Sequence, residues 1–176
     1  MKQPKFCQDC GSPLTKGLRG GIKRLVCSDN SCDFVYWDNP TPVVAAIVEY
    51  QNAVVLVRSI GWPANFYGLV AGFLEKGEMP KEGVAREVTE EVGLEVKSVN
   101  YIGMYPFRRM NQLLIAYHVE ADGTITLQTS ELEGFKVVPL DKVRPWPAGT
   151  GYALNDWLKT KGYDPEFLKF PSKKKR

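Results

Sequence analysis

Residues 72–94 read GFLEKGEMPKEGVAREVTEEVGL, and the spacing within this stretch decides the fold. Pro80 stands where a first-turn proline costs a helix nothing, and Gly93 stands where a left-handed C-cap is wanted, so a helix is predicted between them. At ~100° per residue, Val84, Ala85, Val88 and Val92 share one apolar arc, and Glu87, Glu90 and Glu91 fall in the arc beside it. The pairs 87/90 and 87/91 are i,i+3 and i,i+4 neighbours, and like charges so placed cost an isolated helix roughly 0.2–0.5 kcal/mol per pair. A sequence that keeps such a cost offsets it with a cation. Hard carboxylate oxygens suit a hard divalent cation and, through it, a substrate diphosphate. Arg86, at the edge of the cluster, is expected to hold the carboxylates by charge-assisted hydrogen bonds, with Glu78 on the preceding loop as its partner. The Gly72 carbonyl is a further candidate ligand, because a residue without a side chain lets its backbone approach closely.

The order Gly72-x5-Glu78-x7-Arg86-Glu87-Val88-x-Glu90-Glu91-x-Gly93-Leu94 resembles the signature of the Nudix hydrolases at every position. That resemblance implies an α/β/α sandwich with a mixed sheet, in which the signature forms a loop–helix–loop at the metal site. It also implies hydrolysis of a nucleoside diphosphate linked to some other group, X, with magnesium or manganese. Carried onto these residues, it makes Glu87 and Glu91 the leading metal ligands and Glu90 a ligand or water-positioning base. Arg86 and Glu78 become the orienting pair. Just upstream, Tyr67-Gly68-Leu69-Val70-Ala71-Gly72 stands where the family often has Trp-x-Leu-Pro-Gly-Gly, so this loop lacks the proline and one glycine.

With 176 residues, the chain has room for one moderate domain and a small accessory module. No run of eighteen apolar residues and no apolar signal core are present, which predicts a soluble, cytoplasmic protein without a membrane partner. The net charge of +3 resides at the C-terminus: without Lys173-Lys174-Lys175-Arg176, the 23 basic residues fall to 19 against 20 acidic ones. A body so near neutrality argues against a general nucleic-acid surface. The lone histidine, His118, falls in the strand-like run 113–119, and nothing frames a His-assisted nucleophile, so carboxylates and metal are expected to carry any chemistry.

All four cysteines lie in the first thirty-two residues, as Cys7-x2-Cys10 and Cys27-x4-Cys32. Short strands are predicted over 22–26 and 33–37. This is the layout of a zinc ribbon, in which four thiolates close a structural Zn²⁺ site and replace a core too small to fold alone. Disulfides or free thiols are the alternatives, disfavoured by a cytosolic setting. The expected organisation is therefore a ribbon over 1–38, the Nudix domain over 39–170 and a basic, disordered tail over 171–176. Strands at 43–50 and 53–58, turning at Gln51-Asn52, are expected to pack on the apolar face of the carboxylate helix.

A four-cysteine ribbon directly before such a domain resembles the NADH pyrophosphatase branch of the family. Similarity in order extends through 113–117, 122–127, Glu131, 139–143, 147–150 and the amphipathic segment 152–161. Dimerisation is implied by that resemblance alone. The branch's selectivity element, Gln-Pro-Trp-Pro-Phe-Pro-x-Ser, survives only as Pro106-Phe107 within residues 103–112. The branch also places a further metal-binding glutamate where this chain has Gly134, leaving Glu131 or Glu133 to serve. Tyr105 and Phe107 offer flat faces for a base, and Arg108 and Arg109 could meet phosphates. The same residues read equally well as core or edge aromatics and solvated arginines, and Phe66 and Tyr67 are rival stacking partners. NADH, ADP-ribose, a nucleotide sugar or another dinucleotide all fit as substrate. The mechanism expected is attack of metal-activated water on a bridging phosphorus, with Glu90, Glu131 or Glu133 as base. A non-catalytic nucleotide-sensing or partner-binding module is the alternative from another class, and an RNA cap hydrolase is disfavoured by the near-neutral body.

Overall fold

The computed structural model describes residues 3–169, so the expected tail at 171–176 lies outside the described residues. The chain divides into two compact units between Pro40 and Thr41. The first is a three-stranded antiparallel sheet in the order β1-β2-β3, built from β1 (Leu14–Arg19), β2 (Ile22–Cys27) and β3 (Val35–Tyr36). The strands anticipated near 22–26 and 33–37 are present. β1 was not anticipated, because LTKGLR lacks clean alternation, yet Gly20-Gly21 behind it is a hairpin signal: both have positive φ, 58° and 76°. The four cysteines form no disulfide. Cys7 Sγ lies 3.7 Å from Cys32 Sγ, and Cys10 Sγ lies 3.4 Å from Cys27 Sγ.

The second unit contains β4 (Thr41–Tyr50), β5 (Ala53–Ser59), β6 (Val70–Phe73), α1 (Pro80–Val92), β7 (Glu95–Phe107), β8 (Gln112–Asp122), β9 (Leu132–Pro139) and α2 (Gly151–Thr160). Its sheet runs β7-β8-β4-β5-β9, with β6 paired to β4. β4 and β8 are parallel and the other pairs antiparallel, so the sheet is mixed. Alternation along β4 and β5 feeds two cores. Val44, Ala46, Val48, Val55 and Val57 pack with Val84, Val88 and Val92 of α1, whereas Ile47, Val54 and Leu56 pack with Leu154, Trp157 and Leu158 of α2. Both faces being covered is why these strands read as unbroken apolar runs. The expected sandwich is thus present, one helix on each face of the sheet. The β4–β5 turn is made by Gln51 and Asn52, both at positive φ (51° and 60°), as a two-residue hairpin turn requires. Among the described residues, no helix is long and apolar enough to cross a membrane.

The carboxylate helix ends as its sequence predicts. Pro80 opens it, the Met79 N–H donates to Glu82 Oε2 at 3.2 Å, and Gly93 closes it at φ 68°. Its faces need correction. Glu87 and Glu91 are buried with Gly83, Val84, Val88 and Val92, while Ala85 is only half-buried. On the helical wheel Glu91 falls about 20° from Val84, on the side of Glu87, so burial extends from the apolar face into the carboxylate arc beside it. Burying a carboxylate there costs stability.

Candidate active site

Arg86 organises the acidic cluster. Its Nε donates to Glu78 Oε1 at 2.8 Å and its Nη2 to Glu78 Oε2 at 3.1 Å. Its Nη1 reaches Glu87 Oε1 at 2.7 Å and Glu90 Oε2 at 2.9 Å, and Nη2 also reaches the Phe73 carbonyl at 3.2 Å. Five donor hydrogens therefore meet five acceptors, a pattern that only a planar guanidinium can serve. Hydrogen bonding from Arg86 holds the Glu78 carboxyl below the usual carboxylate range, and the same bonds raise the arginine further above neutrality.

Glu91 is the exception. It is 8% exposed, and its Oε2 is buried without a hydrogen-bond partner. Burial pushes its carboxyl up to about 8, with the charges of Glu87, Glu131 and Glu90 adding to the effect. Burial also raises Glu87, and Arg86 partly opposes that rise. A buried, unpaired carboxylate oxygen among other acids is where a cation belongs. Gly72 contributes by what it lacks: a Cβ there would sit 2.1 Å from the Glu87 carboxylate. The donor set of Glu87, Glu91 and the Gly72 carbonyl consists of hard oxygens, so the residues present fit Mg²⁺ or Mn²⁺. The three glutamates are not drawn tightly together, since Arg86 holds Glu87 and Glu90. Among the described residues, ligand sets within 4.8 Å of one another are the four cysteines and a separate group, Glu49, His118 and Glu120.

Glu91 and Gly72 border a cavity of about 790 Å³ whose walls also include Trp62, Phe66, Phe107, Trp146 and Arg109. Phe66, Phe107 and Arg109, three of the candidates, thus border one cavity. Tyr105, Tyr67, Arg108 and Glu133 are placed elsewhere. The Tyr105 hydroxyl donates to Asp156 Oδ2 at 2.8 Å, fastening β7 to α2. Tyr67 lies under Lys136 Nζ at 4.1 Å. The Arg108 carbonyl closes a 3-10 turn through the Asn111 N–H. Glu133 pairs with Arg58 at 2.9 Å and accepts the Gly61 N–H. Glu131, by contrast, is close enough to act on the charges of Glu87 and Glu91. Sequence reasoning overlooked Trp62 and Trp146. Trp62 meets Phe66 edge-on at 5.0 Å, and its ring lies 3.1 Å from where a Gly68 Cβ would be. The signal was available: a tryptophan between Gly61 and Pro63 is a rigid loop aromatic.

The Nudix domain profile matches residues 39–156, more than half of the chain. The chain belongs to the Nudix hydrolase family. It is 31% identical over 153 residues to the NAD-capped RNA hydrolase NudC of Pseudomonas putida (strain KT2440), covering 86% of this chain and 54% of that protein. It is 30% identical over 149 residues to the enzyme of the same name from Stutzerimonas stutzeri, covering 84% and 52%. The chain therefore spans about half the length of the curated relatives it matches. Among solved structures, the Nudix hydrolase of Nitrosomonas europaea superposes with a TM-score of 0.74 at 24% identity, covering 94% of this chain and 97% of that one. An ADP-ribose pyrophosphatase of Streptococcus suis superposes at 0.58 with 18% identity, covering 74% and 97%. These two likenesses carry the Nudix fold.

Proposed function

We propose that this chain hydrolyses the diphosphate bond of a nucleoside diphosphate linked to a second group, with a dinucleotide or ADP-ribose-type molecule as substrate. The observation that carries this reading is Glu91: a buried carboxylate with an unpartnered oxygen, bordering an aromatic-walled cavity beside Glu87 and Gly72. Glu87, Glu91 and the Gly72 carbonyl would hold a divalent ion, whose contribution is to neutralise phosphate charge and acidify a bound water. Arg86 keeps Glu87 and Glu90 oriented while Glu78 anchors Arg86. Glu131, or Glu90 at the exposed edge of the helix, accepts the proton of the attacking water. Glu133 is not assigned this role, because its carboxylate is engaged by Arg58. Phe66, Phe107 and Trp62 stack a base, and Arg109 faces phosphate. Positioning and electrostatics supply most of the barrier reduction in such a transfer.

The relatives' name bears on substrate. An NAD cap presents the same dinucleotide diphosphate at the end of an RNA, which counts against the expectation, drawn from charge alone, that nucleic acid is no partner. The deciding assay offers NADH, NAD, ADP-ribose, nucleotide sugars, dinucleoside polyphosphates and an NAD-capped oligonucleotide with Mg²⁺ or Mn²⁺. Nucleoside monophosphate release from the dinucleotides or ADP-ribose is expected. Silence across the whole panel would leave the binding-module reading in its place.

We further propose that Cys7, Cys10, Cys27 and Cys32 hold a structural Zn²⁺. A tetrahedron of Zn–S bonds near 2.3 Å has sulfur–sulfur edges of about 3.8 Å, close to the 3.7 and 3.4 Å observed. The Asp9 and Asp29 N–H groups point at Cys7 Sγ and Cys27 Sγ, both at 3.4 Å, and would stabilise thiolate. Cys10→Ser should lower zinc content by one ion per chain and abolish amide protection in β1–β3. Retained protection in that variant would refute the assignment.

A further inference from the structure

Three ligand-type side chains meet away from the carboxylate helix, at the C-terminal ends of the parallel pair β4 and β8. The register sets Ile47 beside His118 and Glu49 beside Glu120. Residues two apart share a face of a strand, so Glu49, His118 and Glu120 project together on the side of α2. One ligand atom from each lies within 4.8 Å of the other two. His118 Nε2 is 2.7 Å from Glu49 Oε2, and the imidazole lies against Trp157 of α2 with centroids 5.0 Å apart. Glu120 Oε2 accepts from Ser98 Oγ at 2.8 Å, and Asn100 Nδ2 donates to that hydroxyl at 3.3 Å. The remaining charged neighbour is Lys161, the C-cap of α2, with Nζ 3.1 Å from Glu49 Oε2.

Two carboxylates and one ammonium gather around a histidine that is only 7% exposed. An ordinary ion pair with Lys161 needs Glu49 alone and gives no reason for a second carboxylate so near the first. Lys161 is 37% exposed on a flexible stem, so it can move into water, and a divalent ion in its place would balance the two carboxylates. We propose that Glu49, His118 and Glu120 form a second cation site, separate from the diphosphate site, with the composition that suits Zn²⁺: one imidazole, two carboxylates and an open position for water. Paired strands fix the three backbones, while Trp157 and Ser98 orient the imidazole and the Glu120 carboxylate, as outer groups do around metals. With the ion bound, Nε2 would present its lone pair to it, the ring would carry its proton on Nδ1, and Lys161 would be released.

The chain contains a single histidine, which makes the test specific. In the untagged, ¹⁵N-labelled chain of 176 residues, one imidazole reports this site whatever zinc does at the cysteines or at Glu91. Titration with Zn²⁺ should move the Nε2 resonance out of the N–H range and saturate. Glu120→Gln, an exposed position with little bearing on folding, should weaken the apparent affinity about tenfold or more. Lys161→Met should tighten it by removing the competing ammonium, and both variants should hydrolyse diphosphates as the parent does. A histidine resonance unmoved by excess Zn²⁺ in the parent and in Lys161→Met would overturn the proposal, as would an equal response in Glu120→Gln.

Discussion

Glu91→Gln is expected to lower turnover by about three orders of magnitude, which corresponds to the several kcal/mol a bound cation contributes to transition-state charge. The amide preserves volume and shape, so the fold should persist. Stability should move the other way from activity. A carboxyl raised to about 8 in the folded state contributes stability that is complete below its unfolded value, near 4.5, and is lost as pH rises through about 8. Without added Mg²⁺ or Mn²⁺ the parent should therefore weaken between roughly pH 5 and 8, by an amount on the order of a few kcal/mol. Glu87, also raised by burial, acts in the same direction. Glu78, held down by Arg86, acts oppositely and only in more acidic solution. Glu91→Gln should flatten most of the neutral-range slope, and Mg²⁺ should restore stability to the parent alone. Urea midpoints from pH 5 to 8.5 and steady-state turnover measure both halves. An unchanged turnover would remove Glu91 from the site.

Arg86→Met should be the most destabilising change near the cavity, at about 2–4 kcal/mol. Removing one partner of a buried ionic network leaves the other charges uncompensated, here discounted because Arg86 retains 26% of its side-chain exposure. Glu78 loses both its bonds, and Glu87 and Glu90 lose the group that orients them. Turnover should fall by about 10²-fold or more, mainly in kcat. Arg86→Lys should recover part of the stability but little of the rate, since an ammonium has three donors where the site has five acceptors. Chemical denaturation and a kcat-against-KM comparison at saturating Mg²⁺ separate the two effects. If Arg86→Met melted with the parent and turned over normally, the five-bond network would be an ornament of the fold.

How much of this was legible before the fold is best judged residue by residue. Helix ends are local chemistry, so Pro80 and Gly93 located α1. The reason for Arg86 beside acidic residues is equally local, since four of its five acceptors lie on its own helix or the adjoining loop. The helical wheel set Glu91 beside the apolar arc, and packing against the sheet decided that it and Glu87 are buried while Glu90 is exposed. Tyr105 and Phe107 lie on one strand and looked interchangeable. The packing of α2 gave Asp156 to Tyr105 and left Phe107 facing the cavity. Glu131 and Glu133 were likewise equivalent candidates until Arg58, more than seventy residues earlier, engaged one of them.

By itself, the chain's sequence determined the family, the helix that carries the carboxylates, the four-cysteine module and the strand pair turning at Gln51-Asn52. Each of these rests on residue spacing over short distances, where backbone geometry alone relates side chains. Tertiary structure alone decided which glutamate is buried without a partner, which aromatics border the cavity, and that Glu49, His118 and Glu120 meet at all. Those outcomes depend on side chains from strands and helices distant in sequence competing for the same space and the same charge, and no local pattern encodes that competition.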